Sequence, residues 1–150
     1  MAGSVNIDEK PVAKLVEKLK EFANEIYNEL GSGHAEKVYE QALLVCLRDD
    51  AIKYEHQKVV EVTFRGHYVG EGYADVLIQC SDKNRLVVEV KALGAGKLGP
   101  PERTQVRKYM NMLRAQNGLL INFPQPDKLK KSKNREVEFE EIHLNLEMQP

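Results

Sequence analysis

Two carboxylates and an ammonium interrupt the most apolar part of this chain, and any fold it adopts must find partners for them. Between Tyr73 and Lys91 two runs read as β-strands joined by a polar turn. Asp75 opens the first among Ala74, Val76, Leu77 and Ile78, and Glu89 and Lys91 close the second behind Leu86, Val87 and Val88. Burying a lone carboxylate costs several kcal/mol, so a strand that carries one in an apolar setting compensates by pairing or by binding a metal. Side chains alternate between faces, which puts Glu89 and Lys91 on one face and Leu86, Val88, Val90 and Ala92 on the other. An Asp on the neighbouring strand can meet the charged pair there. Such a set suits a hard, oxygen-loving cation such as Mg²⁺, with the ammonium placed to orient a water or offset charge at a phosphate. The plainer reading is a buried ion-pair cluster.

The 150-residue length predicts one domain over residues 1–150, with 1–7 and 147–150 as frayed ends. No apolar run approaches the ~20 residues of a membrane helix, and the opening MAGSVNIDEK lacks the basic-then-apolar order of a signal peptide, so an intracellular, cytoplasmic protein is expected. Cys46 and Cys80 have no metal-ligand spacing and read as buried free thiols. A formal net charge of -1 offers no global attraction to nucleic acid, so any binding must come from local patches.

The spacing of Val12, Leu15, Val16, Leu19, Phe22, Ala23, Ile26, Tyr27 and Leu30 predicts an amphipathic helix over 8–30, with Asp8 as N-cap, Pro11 in the first turn and Gly31 as the terminator. A second helix is predicted over 34–50, burying Val38, Tyr39, Ala42, Leu43, Val45, Cys46 and Leu47. Glu36 and Glu40, four apart, share one of its sides, either as solvated surface or as part of a site. Alternation from Lys58 predicts a strand through Phe64. A turn at Arg65–His67 leads to a short strand at Tyr68 and Val69, and Gly70 and Gly72 suggest a bulge before the strand at Tyr73. The glycines and prolines of 92–101 predict a mobile loop. A third helix follows over 102–116, then a strand over 118–123 buried on both faces, a basic run over 128–135 read as a solvated loop, and a last strand from Val137 toward Leu146. This order gives an α/β fold with a mixed β-sheet flanked by α-helices and a strand–helix–strand crossover.

Several motifs occur in one order: Gly33-His-Ala-Glu36-Lys-Val-Tyr39, Gln57, Ala74-Asp75, Glu89-Val90-Lys91, Gln105-Val-Arg-Lys-Tyr109 and Gly118-Leu-Leu-Ile-Asn-Phe123. Together they resemble the GxxExxY family of the PD-(D/E)xK nuclease superfamily over about residues 31–123. The resemblance implies a restriction-endonuclease-like core and a nuclease that hydrolyses phosphodiester bonds with Mg²⁺ or Mn²⁺, acting on DNA ends or single strands. It implies that Asp75 and Glu89 hold the metal, with the Val90 carbonyl completing part of the shell. By the same resemblance Glu36 would contact the metal directly or through water, and Lys91 would position the attacking water. Gln105 would help hold the site, and Tyr109 would lie near substrate phosphate. Glu102 stands where the family often has a His.

Arg103, Arg107 and Lys108, on the helix of Gln105, are the expected phosphate contacts. Tyr39 reads as a core residue whose hydroxyl finds a partner, Gln57 as a bond to strand backbone, and the four histidines as surface or turn positions. Two other functions stand beside the nuclease. One is a non-catalytic nucleic-acid- or protein-binding module that retains the fold. The other is a small subunit of a homo-oligomer or larger complex whose partner supplies the grip on substrate.

Overall fold

The computed structural model describes residues 10–126 and 136–145. The Asp8 cap, the whole basic run over 128–135 and both chain ends lie outside them. Helix α1 (Lys10–Leu30) buries Val12, Val16, Leu19, Phe22, Ala23 and Ile26, the stripe its spacing predicts. Gly31, at φ +69°, terminates it, its N–H donating to the Tyr27 carbonyl at 2.8 Å. Helix α2 (Glu36–Asp49) buries Tyr39, Glu40, Leu43, Leu44 and Leu47. Its expected face is therefore corrected. Val38 and Val45, seven residues apart on one side, are 41% and 47% exposed, and a glutamate takes part in the buried stripe instead.

Five strands form one sheet in chain order: β1 (Glu55–Phe64), β2 (His67–Gln79), β3 (Arg85–Lys91), β4 (Asn117–Asn122) and β5 (Glu138–His143). Helix α3 (Pro100–Leu113) crosses between β3 and β4, which makes that pair parallel, whereas the others are antiparallel. Helices α1 and α2 pack with Val76, Ile78, Leu86, Val88 and Val90 on one face of the sheet. Helix α3 covers Leu77, Val87 and Leu120 on the other. The result is the expected α/β architecture, a mixed sheet between helices.

Strand β2 is longer than expected, absorbing the short strand and both glycines. The irregularity falls beside Gly70: Val62 faces Gly70 but Thr63 faces Tyr68, so Val69 is the extra residue of a bulge. A second break matters more. The β2–β3 ladder runs from Gln79–Arg85 to Val76–Val88 and goes no further. Ala74 packs on the α3 side, although regular alternation would put it with Val76 and Ile78. Strand β2 thus turns at Asp75, and beyond that point it pairs with β1 alone.

The glycine-rich loop after β3, expected to be mobile, is tied down. Buried Asn122 accepts from the Leu93 N–H at 2.8 Å and donates to Glu138 at 2.7 Å, and Glu138 also takes the Gly96 N–H at 2.7 Å. Pro100 and Pro101 start α3 rather than ending the loop, as their missing N–H groups permit. Glu102 accepts the Gly99 N–H at 2.9 Å, so the residue that departs from the family pattern caps this helix.

Gly118 lets α3 close on β4, since a Cβ there would lie 2.6 Å from Met110 Sδ and 2.8 Å from Val106 Cγ1. Methionine can swing aside, but a β-branched valine in a helix has little rotameric freedom. Gly118→Ala should lose about 1–3 kcal/mol in urea unfolding. Gly70→Ala, with nothing within 4 Å of the new methyl, should stay within about 0.5 kcal/mol of the parent.

Candidate active site

A strand that loses its partner leaves backbone groups that need other acceptors. Where β2 and β3 part, the side chains of the split supply them. The Val90 N–H donates to Asp75 Oδ2 at 2.8 Å, and the Asp75 N–H donates to Glu89 Oε1 at 3.1 Å. Glu36 of α2 stands near the Ala92 N–H, next on the same edge of β3, which draws its carboxyl pKa down. N–H and C=O of one residue leave an extended strand on the same edge, so the Val90 carbonyl also faces the split.

Asp75 and Glu89 are both buried. Burial first, and then the neighbouring Asp75 charge, pushes the Glu89 carboxyl up to about 9. Burial also raises Asp75, the Val90 N–H opposes this, and Glu40 adds to it. At neutral pH the pair therefore shares a proton held mainly on Glu89. Glu36 is raised too, by desolvation first, against the opposing charge of Lys91.

Lys91 donates to Gln105 Oε1 at 2.8 Å, and the Gln105 amide donates to the Tyr109 hydroxyl at 3.4 Å. No salt bridge within 4 Å joins Lys91 to Asp75 or Glu89 among the described residues. The plain ion-pair reading of these three residues thus lacks its central contact. Tyr109 lies against Gly72, where a Cβ would come within 2.8 Å of its hydroxyl.

Asp75, Glu89 and Val90 form one hydrogen-bonded group and Lys91, Gln105 and Tyr109 a second, the two meeting at the peptide between Val90 and Lys91, with Glu36 at the margin. Among the described residues no three His, Cys, Asp or Glu side chains form a ready metal cluster. The donors on offer to one cation are thus the Asp75 and Glu89 carboxylates with the Val90 carbonyl, all oxygen. That set fits Mg²⁺ or Mn²⁺, and the shared proton marks where positive charge is wanted. Lys108 lies three residues from Gln105, on its side of α3. Arg103 and Arg107 are two residues either way and face elsewhere, Arg103 pairing with Glu140 of β5 at 3.1 Å.

The sequence left Glu40 open between solvated surface and site, and assigned neither His56 nor Gln57 to this region. Glu40 is buried, and its Oε1 lies 2.6 Å from both His56 Nε2 and Gln57 Nε2. Gln57 belongs to β1 rather than preceding it, and its amide reaches Asp75 Oδ1 at 3.4 Å as well as Glu40. It does not serve strand backbone, as expected. The readable signal was Glu40 itself, an acid at the i, i+3, i+4 and i+7 spacing of Leu43, Leu44 and Leu47. Tyr39 is the buried core residue expected, stacked on Phe123 with its hydroxyl on the Gly31 carbonyl at 2.7 Å. Cys46 and Cys80 are free but half-buried.

Fold and site together define an α/β protein with a carboxylate and lysine centre at the split of its sheet. The chain belongs to the PD-(D/E)XK nuclease superfamily, whose family model matches residues 13–136. These are nucleic-acid-hydrolysing enzymes that generally use divalent metals. Three solved chains also match. One, described as the crystal structure of SSO0001, is 19% identical with a TM-score of 0.49; the match covers 89% of this chain and 62% of that one. No curated protein sequence matches. No helix among the described residues is long and apolar enough to cross a membrane.

A carboxyl that keeps its proton in the folded chain and gives it up in the unfolded one makes folding less favourable as pH rises between its two pKa values. For Glu89 that window runs from 4.5 to about 9. The melting temperature of metal-free protein should therefore fall across it. Glu89→Gln should flatten that decline and be the more stable form at pH 8, by on the order of a few kcal/mol.

Proposed function

We propose that the chain is a metal-dependent nuclease of the GxxExxY type that hydrolyses phosphodiester bonds, with DNA ends or single strands as substrate. The observation that carries this reading is the buried Asp75 and Glu89 pair at the split of the sheet, beside a lysine already held by Gln105. Asp75, Glu89 and the Val90 carbonyl would hold Mg²⁺ or Mn²⁺, with Glu36 at the margin. When bound, the ion polarises a phosphate oxygen and lowers the pKa of a water.

Everything else is done by the chain. To hold a cation Glu89 would have to release its proton to solvent, which would leave both carboxylates as acceptors. The Val90 N–H keeps Asp75 from rotating away. Lys91, fixed at one of its three hydrogens by Gln105, directs the others toward the attacking water and toward charge that develops on phosphate. Tyr109 props Gln105, and its hydroxyl sits at the Gly72 surface, where a phosphate can reach it. Lys108 is the basic residue on the same side of α3, and its contact with phosphate would be point charge rather than bidentate.

The test is cleavage of single- and double-stranded DNA with Mg²⁺ or Mn²⁺ by the parent, Asp75→Ala and Lys91→Ala. Each variant should lose at least about 100-fold in rate, the usual scale for removing a positioned acid–base or electrostatic group. Undiminished cutting by both would remove this site from the chemistry.

A further inference from the structure

Gln57 is the one strand-interior residue among the described non-glycine residues with a left-handed backbone: its φ is +52°, whereas the other three such positions follow helices or sit in the β1–β2 turn. It lies across from Asp75, between the His56–Val76 and Lys58–Ala74 partners of the ladder. A glutamine gains nothing from that conformation, so something beyond the strand must hold it there. Two carboxylates do. Glu40 Oε1, buried by α2, accepts from Gln57 Nε2 at 2.6 Å, and Asp75 Oδ1 lies 3.4 Å from the same nitrogen. An amide nitrogen has two hydrogens, one for each carboxylate.

We propose that Gln57 is a positioning residue for Asp75: anchored on buried Glu40, its amide holds Asp75 Oδ1 while the Val90 N–H holds Oδ2, so that the carboxylate is preset to take a divalent cation. The inference rests on the reading that Asp75 and Glu89 are the cation's ligands. Asp75 thereby has a partner on each oxygen, one from β3 and one from β1. The amide also stands between two carboxylates that would otherwise face each other directly. His56, whose Nε2 is 2.6 Å from the same Glu40 oxygen, fixes the anchor from the far side. Partners that orient a metal ligand are worth roughly 10- to 100-fold in metal affinity.

Two variants separate this role from a contribution to folding alone. Gln57→Asn keeps a residue that tolerates the left-handed backbone but shortens the side chain by one methylene, so that it no longer spans both carboxylates. Gln57→Gly removes the side chain where glycine meets no backbone penalty, which keeps the test valid should the asparagine variant misfold. Mn²⁺ is titrated calorimetrically into the full-length parent and each variant, and the metal-free melting temperature is recorded alongside. The expected result is a Mn²⁺ dissociation constant raised about tenfold or more in both, with metal-free melting within a few degrees of the parent or above it. Parent-like Mn²⁺ affinity in the variants overturns the positioning role alone, as does a loss confined to melting temperature. A parent that takes up no Mn²⁺ overturns the ligand assignment and this inference with it.

Discussion

Two hydrogen bonds from backbone amides to buried carboxylates hold this molecule's centre together: Val90 N–H to Asp75, and Asp75 N–H to Glu89. They stand where ladder bonds between β2 and β3 would continue. A bond to an ionised carboxylate, as at Asp75, is about twice as strong as a neutral one, and the two bonds together keep the carboxyl groups close. Regular pairing would have closed the gap and turned both side chains away from it. The split is therefore what makes an acceptor-rich cleft inside an otherwise apolar sheet. The cost of crowding two carboxyls is limited by the proton that Glu89 retains.

Each remaining piece of the centre arrives from a different element. Helix α2 brings Glu36 near the end of β3 and Glu40 to β1, and α3 brings Gln105 to Lys91. Asn122 of β4 then fixes the chain where it leaves β3. The geometry of the site is thus only as good as the packing of α2 and α3 on the two faces of the sheet. Glycines set how closely α3 can approach. Gly118 admits Val106 and Met110 over β4, and Gly72 admits the Tyr109 ring over β2. At neither position does a left-handed backbone require glycine; at both, the missing Cβ is what counts.

The period-two runs around Asp75 and Glu89, the helical stripe from Val12 to Ile26 and the apolar Leu119–Phe123 run were legible because local pattern and burial agree there. Glycine and proline marked the turns for the same reason. Helix α2 was misread because apolar content was taken as burial. Val38 and Val45 are apolar yet exposed, while Glu40 is buried because His56 and Gln57, 16 and 17 residues later, provide its partners. A pairing over that distance leaves no periodic trace in the sequence. Gln57 was discounted for a related reason: its backbone conformation and its contacts arise only once α2 lies beside β1. The loop after Lys91 looked mobile from composition, and the residues that restrain it, Asn122 and Glu138, come from strands formed much later in the chain.

The balance of charge at the split bears on how a polyanion can approach it. Four carboxyl groups, Asp75, Glu89, Glu36 and Glu40, stand around the split against the ammonium of Lys91 and the His56 ring, so acidic groups predominate there. Arg103 does not relieve this, because it is paired to Glu140 on the far flank of α3. Under the proposed function a phosphodiester would meet repulsion at this site, and the chain's formal net charge of -1 supplies no long-range attraction to offset it. Under the proposed function, cation and substrate must then bind cooperatively, since each lowers the electrostatic cost of the other, and the coupling is reciprocal. A site built this way is quiet toward nucleic acid without its ion, and the acid excess that looks unfavourable for a nuclease becomes the source of that dependence.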